Sequence, residues 1–215
     1  SHILNRAMND ETSDIQTSSA TGDASPQPDA GGEAAPAKKK RGKAAAEREA
    51  RTALEARIGH KFADAALLAT AFTRVSALKK ATRKRSDSYQ RLEFLGDHVL
   101  GLVVSDMLFG EFPRADEGEL SRRLADLVRK EACADVARSI DLGAAIRLGS
   151  SESNAGGRSR TAILADVCEA LIGAVFIDGG YPAASKMIER LWEQRMRAPA
   201  RPLRDAKTIL QEWAQ

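Results

Sequence analysis

Two apolar stretches in this chain are too long to be strands. SYQRLEFLGDHVLGLVVSDMLFGEF fills 88–112 and TAILADVCEALIGAVFIDGG fills 161–180. An ordinary strand has about five or six residues, so both segments read as helices. Their apolar residues run around much of the circumference, which places them centrally in a helical core. Each stretch also carries two carboxylates, Glu93 and Asp97 at i, i+4 and Asp166 and Glu169 at i, i+3. Either spacing stacks both side chains on one helix face. Carboxylate pairs of this kind are common on solvated surfaces, but these two interrupt apolar runs. The small residues Gly96, Ala165, Ala170 and Gly173 beside them would let the two helices approach closely. Four carboxylates would then meet at one point, as in the metal sites of helix bundles. Burying like charges together costs free energy unless a cation offsets them. Mg2+, which takes oxygen ligands, is the simplest candidate. A carboxylate-held Mg2+ in a chain with basic patches points to phosphodiester chemistry.

Composition supports an all-α fold. The chain is 43% hydrophobic but only 5% aromatic, so its core must be aliphatic, which suits packed helices better than a β-sandwich. The net charge of +3 says little by itself about partners. Cys133 and Cys168 lie in apolar helical patterns without zinc-ligand spacing and read as buried, reduced thiols. No apolar run reaches the roughly 18 residues of a membrane span, and no signal peptide is evident. The expected compartment is the cytoplasm.

Residues 1–45 read as a tag remnant followed by an unstructured tail rich in Ser, Thr, Gly and Pro, with KKKRGK at 38–43 as a solvated basic stretch. A domain is expected over 46–198. A helix starting near Ala44 would stop at Gly59, and a second would cover FADAALLATAFTRVSA. Lys79, Lys80, Arg83, Lys84 and Arg85 form an exposed basic loop. One or two helices follow Pro113, with a break near Asp141 to Gly143. SSESNAGGRSR at 150–160 reads as a Gly/Ser loop, flexible or ordered only by a ligand, and, with the basic loop, as a candidate phosphate contact. Thr161 is the expected N-cap of the second apolar helix, which Gly179 and Gly180 should stop. A last amphipathic helix would carry Pro182 near its first turn.

QRLEFLGDHVL is similar to the signature of the ribonuclease III family, usually written E-R-L-E-F-L-G-D-S. ADVCEALIGAVFIDGG resembles the family's second motif, and FPRADEGELSRRLADLV its middle region; the likeness runs over roughly 50–197. The resemblance implies an all-α, dimeric ribonuclease III endonuclease domain. It further implies hydrolysis of double-stranded RNA with Mg2+, with Mn2+ able to substitute, to give 5′-phosphate and 3′-hydroxyl ends. Processing of ribosomal RNA precursors and some messenger RNAs would be its cellular work. Residue by residue, Glu93, Asp166 and Glu169 match the metal-binding positions, and Asp97 and Glu169 the catalytic pair. Glu117 matches an auxiliary acidic position near the RNA path. Phe94 matches an apolar ball that enters a socket on the second subunit; plain core packing is the alternative for it. Gln90 stands where the family often has Glu, and His98 follows Asp97 where Ser is usual. His98 reads as a packing or hydrogen-bonding residue, and Arg74, where many relatives have His, is assigned no role. RDAKTILQEWAQ resembles the opening of a double-stranded-RNA-binding domain, so 199–215 is expected to be a linker and the first residues of such a domain, cut short.

Two competing readings remain at this point. A non-catalytic RNA-binding scaffold on the same fold would be expected to have lost metal carboxylates, whereas all four are present. A di-iron or di-manganese bundle would use Glu-x-x-His pairs, and none occurs among His2, His60 and His98.

Overall fold

The structure, a computed structural model, describes residues 34–78 and 88–198, with side chains from residue 45 onward. The tail before Ala34, the basic loop at 79–85 and the segment from 199 onward lie outside the described residues, as do the expectations placed on them. Among the described residues the fold is all-α. Extended backbone pairs there only at one isolated bridge, between Thr73 and Arg147.

The first helix, α1 (Ala34–Ile58), begins ahead of the Ala44 start expected from composition. Ala, Lys and Arg are strong helix formers, and Pro36 falls in the first turn, where its missing N–H would have had no partner. Gly59, at φ 75°, ends α1 as expected. The short α2 (Ala65–Ala71) is capped by Asp64, whose side chain accepts from the Ala66 amide. Asp178 ties this corner down. Its Oδ2 lies 2.8 Å from His60 Nε2 and accepts from the Ala63 amide, while its Oδ1 accepts from the Asp64 amide.

The centre is α3 (Gln90–Glu111) against α7 (Thr161–Met196). On α3, Leu92, Val99, Leu100, Val103, Val104 and Leu108 are buried, and the first half of α7 is buried nearly all round. The two backbones touch at glycines. A Cβ on Gly96 would lie 1.7 Å from the Glu169 carbonyl oxygen, and one on Gly173 would lie 2.2 Å from that of Leu92. The sequence expectation of a close approach at small residues is met at these two positions. Glu93 and Asp97 flank one side of the contact, Asp166 and Glu169 the other.

Asp116 caps α4 (Glu117–Val128), accepting from the Glu119 amide at 2.7 Å. Extended backbone at Arg129 separates α4 from α5 (Lys130–Ser139), so the region after Pro113 is two helices with a break earlier than the one expected near Asp141. A 3-10 turn over Leu142–Ala145 follows that second break. α5 packs on α7 through Cys133, Ala134, Val136 and Ala137, and both cysteines are buried and free. Gly180, at φ 71°, kinks α7 where the sequence suggested a stop, and Pro182 follows. Beyond the kink, Trp192 is fully buried and donates from Nε1 to the Leu127 carbonyl at 2.9 Å, fastening α7 to α4.

Three local expectations are corrected. The helix expected over FADAALLATAFTRVSA runs only from Ala65 to Ala71, with a bridge at Thr73 and a 3-10 turn over Val75–Ala77 after it. Thr161 is the first residue of α7 and not its N-cap, which is Arg160. Its Oγ1 instead accepts from Arg138 Nη2 at 2.8 Å, a tertiary contact that outcompetes capping. Residues 150–160 are not a bare loop. They hold a short α6 (Ser150–Asn154) and a 3-10 turn over Gly157–Ser159. Arg158 Nη1 organises this segment by donating to the carbonyls of Gly143, Ala144 and Ile146. Side-chain bonding of that kind orders a segment whose composition reads as flexible.

Candidate active site

An open pocket of about 560 Å³ lies between the start of α3, the start of α5 and the first half of α7. Gln90, Glu93, Phe94, Asp97, Val128, Arg129, Lys130 and Glu169 line it. Three of the four sequence-predicted carboxylates therefore share one cavity. Asp166 sits one turn earlier on α7, close enough for its charge to act on both Glu93 and Glu169.

Glu169 is buried, with only 7% of its surface exposed. Burial pushes its carboxyl up to about 7, helped by the charges of Asp97, Glu93 and Asp166, while Lys130 acts the other way. Glu93 is raised for the same reasons, burial first and Asp166 next, with Lys130 and Arg74 opposing. Asp166 uses its two oxygens differently. Oδ2 accepts from the Tyr89 hydroxyl at 3.1 Å and lies 3.7 Å from Arg74 Nη1. Oδ1 is buried without a hydrogen-bond partner, 3.7 Å from Lys130 Nζ.

Among the described residues, no three Asp, Glu, His or Cys side chains stand close enough to hold one ion as they are arranged here. Mutual repulsion of four carboxylates favours that spread. The donor set nevertheless fits a hard divalent cation. It is all oxygen, burial and then the neighbouring acidic charges raise the carboxyls of Glu93 and Glu169, and it includes a buried acceptor without a hydrogen bond.

The other predicted positions have surroundings of their own. Glu117 starts α4, accepts from Ser121 Oγ at 2.9 Å and does not line the pocket. Phe94 is 69% exposed, so core packing within this subunit is excluded for it. His98 is exposed; its Nδ1 lies 2.8 Å from the Phe94 carbonyl oxygen and its ring packs 4.7 Å from that of Phe94. Its expected hydrogen-bonding role is met. In the 150–160 segment, Arg158 is occupied by backbone carbonyls and Arg160 donates to that of Ala155, which weakens the expectation of phosphate contacts there.

Sequence reasoning missed three residues. Lys130, the first residue of α5, brings a positive charge to the carboxylates. Tyr89, just before α3, and Arg74, which had been given no role, reach Asp166 from a distant part of the chain. No periodicity links these positions. Lys130 in VRKEA and Arg74 in TRVSA carry no local signal of a shared site.

A packed helix pair that sets two pairs of carboxylates across a glycine contact, with a cationic rim, fits the class of carboxylate sites that take a divalent cation and act on phosphate esters. A family model described as ribonuclease-III-like matches residues 64–195. The chain is 58% identical over 208 residues to Ribonuclease 3 of Rhodopseudomonas palustris, covering 97% of this chain and 76% of that protein. It is 67% identical over 163 residues to Ribonuclease 3 of Nitrobacter winogradskyi, covering 76% of this chain and 61% of that one. The chain thus spans between 61% and 76% of the length of these two relatives. Among solved structures, the nuclease domain of ribonuclease III from Campylobacter jejuni is similar, with a TM-score of 0.62 and 38% identity, over 68% of this chain and 95% of that one. A second structure of that domain, described as flexible in a region involved in dimer formation, gives a TM-score of 0.61 at 39% identity, over 66% of this chain and 95% of that one. The chain belongs to the ribonuclease III family, and its described helices have the fold of that family's nuclease domain.

Proposed function

We propose that this domain is an endoribonuclease that hydrolyses double-stranded RNA with Mg2+, leaving 5′-phosphate and 3′-hydroxyl ends. Glu93, Asp166 and Glu169 would hold the metal, and Asp97 and Glu169 would form the catalytic pair. The observation that carries this reading is Asp166 Oδ1, a buried carboxylate oxygen with no hydrogen bond, beside three further carboxylates on the two packed helices. Burying such an oxygen with no hydrogen bond and only the Lys130 ammonium at 3.7 Å is costly, and a hard cation would relieve that cost. Mg2+ suits an all-oxygen set, and Mn2+ is expected to replace it.

When bound, the cation would lower the pKa of a water molecule and offset charge developing on the phosphate. The protein does the rest. Glu169, whose carboxyl is pushed up to about 7 in the metal-free site, would give up its proton as the cation binds. Asp97, more than half exposed in the pocket lining, would accept a hydrogen bond from an incoming water. Lys130 and Arg129 line the same wall and would meet the phosphate backbone. A-form RNA hides its major groove from side chains, so recognition would rest on shape and backbone.

The domain would act as a homodimer. Phe94, Leu102 and Phe109 on α3 and Ile177 on α7 are large apolar residues left exposed. Phe94, Leu102 and Phe109 recur every seven or eight positions, forming one stripe along α3. Water-exposed apolar stripes of this kind favour association. The setting would be the cytoplasm, with ribosomal and messenger RNA precursors as substrates; no described helix is long and apolar enough to cross a membrane.

Long double-stranded RNA incubated with the purified chain, with Mg2+ or with EDTA, tests the reading on a gel. Cleavage is expected only with the metal, and Glu169→Ala should abolish it. Cutting that survives rigorous chelation would overturn the metal chemistry.

A further inference from the structure

Four side chains from four parts of the fold form a single line that ends on Asp166. Glu152 of α6 takes Arg74 Nε on its Oε1 at 3.1 Å. Glu152 Oε2 accepts from Ser76 Oγ at 2.6 Å, and Ser76 Oγ accepts from the Gly149 amide at 3.1 Å. Arg74 is thereby fixed at one edge. Its other edge donates from Nη1 to the Tyr89 hydroxyl at 2.7 Å, and the guanidinium lies over the Tyr89 ring at 5.4 Å. Tyr89 is buried, and its hydroxyl lies 3.1 Å from Asp166 Oδ2.

The direction of the hydrogen bonds follows from the groups themselves. A guanidinium has donors and no acceptor, so the Tyr89 oxygen must accept from Arg74. The single hydroxyl proton is then left to point at Asp166. A carboxylate is two-fold about its terminal torsion and, without an anchor, presents either oxygen. Here one oxygen accepts a hydrogen bond and the other accepts none, with the Lys130 ammonium 3.7 Å away.

We propose that Arg74 and Tyr89 are positioning residues that hold Asp166 by Oδ2 so that Oδ1 alone is presented to the cation. This inference rests on the metal-site reading above. Neither residue would touch the metal or the RNA. Their part is to remove the rotational freedom that Asp166 would otherwise lose on binding. Partners of this kind, behind the ligands of metal sites, are typically worth 10–100-fold in metal affinity.

The test measures Mn2+ binding to the protein without RNA, following free Mn2+ by its magnetic resonance signal. Two variants keep the local charge: Tyr89→Phe, which removes only the hydroxyl, and Arg74→Lys, which keeps the cation but loses the fork. Each should bind Mn2+ about ten-fold more weakly than the parent, and the double variant should be little worse than the weaker-binding single, because both act through one hydroxyl. In cleavage assays the metal concentration for half-maximal rate should rise by the same factor, while the rate at saturating metal stays within about three-fold. Asp166→Asn separates the failures. If Asp166→Asn binds Mn2+ like the parent, the metal-site reading fails and takes this inference with it. If Asp166→Asn loses binding but Tyr89→Phe and Arg74→Lys both stay within about five-fold of the parent, the positioning role alone is overturned. Melting curves check each fold, and should Tyr89→Phe not fold, the same threshold applied to Arg74→Lys decides.

Discussion

Replacing Gly96 by Ala tests the feature on which the site is built. The added methyl would sit 1.7 Å from the Glu169 carbonyl oxygen, 2.6 Å from its carbon and 2.8 Å from the Gly173 nitrogen. All three are backbone atoms, so no side chain can swing aside. Ordinary contact begins at 3.4 Å, so α3 and α7 must part by about 1.7 Å at the crossing. Overpacking a core costs about 1–3 kcal/mol, and with only backbone to move the upper end is expected. The better helix propensity of Ala returns about 0.5–1 kcal/mol. A net loss of about 2 kcal/mol should appear as a lower urea midpoint with unchanged slope. Activity should fall further than stability, because Glu93 and Asp97 move with α3 away from Asp166 and Glu169. A misplacement of about 1 Å costs on the order of 100-fold in rate. Gly110→Ala is the control: on the same helix, its methyl would meet nothing within 4 Å, and it should be neutral or slightly stabilising. If Gly96→Ala were as stable and as active as the parent, α3 and α7 would not be in backbone contact there, and the account of how the carboxylates are gathered would be wrong.

Further outcomes are expected. Without metal, Glu169 has its folded pKa raised from 4.5 to about 7; such a group contributes stability that is full below about 4.5 and lost as pH rises through about 7, at most about 3 kcal/mol and less after solvent screening. The metal-free domain should therefore melt higher at pH 5 than at pH 8, Glu169→Gln should flatten that slope, and a melting temperature that rises from pH 5 to pH 8 would contradict the buried carboxylate. Mg2+, which favours the ionised form, should restore stability at pH 8, as calorimetry with and without the ion would reveal. Phe94→Ala should leave the melting of a lone subunit unchanged, since the ring is exposed there, yet weaken the dimer by about 3–5 kcal/mol if the ring fills a partner's socket; sedimentation showing an unaltered dimer, or a monomeric parent, would refute the socket. Gln90→Ala should reduce cleavage far less than Glu169→Ala, and equal damage from both in single-turnover assays would mean that the site is misplaced.

The helices and the carboxylates were legible because local rules govern them. Long apolar runs exclude strands, i, i+4 and i, i+3 spacing fixes a shared face, and glycines among large residues announce a close approach. Gly96 and Gly173 show this, since each needed only its neighbours to be read. What could not be read is what only tertiary structure decides. Tyr89 and Asp166 are 77 positions apart in sequence and meet through one hydroxyl. Arg158 sits in a segment of Ser, Gly and Asn, and its ordering depends on three carbonyls from a different turn. The start of α1 at Ala34 was missed for another reason: Ser-, Gly- and Pro-rich sequence ahead of it suggested a tail, while the Ala and Lys residues beyond favour a helix.

Phe94 shows where periodicity itself becomes ambiguous. α3 is apolar around most of its surface, so its pattern does not say which face is buried in one subunit and which is left over. The contacts decide: Leu92, Gly96, Val99, Leu100 and Val103 face α7 and the core, while Phe94, Leu102 and Phe109 are left outside. Phe94 also lines the pocket, between Glu93 and Asp97 in sequence. One turn of helix therefore carries two site carboxylates and the start of the exposed apolar stripe. A second subunit seated on that stripe would come to rest against the rim of the pocket, and it would exclude water from one side of the carboxylates. Lower local dielectric strengthens the attraction between those carboxylates and a cation. The surplus hydrophobicity of α3, unexplained within a single subunit, thus has a physical reason to lie next to the charges rather than elsewhere on the helix.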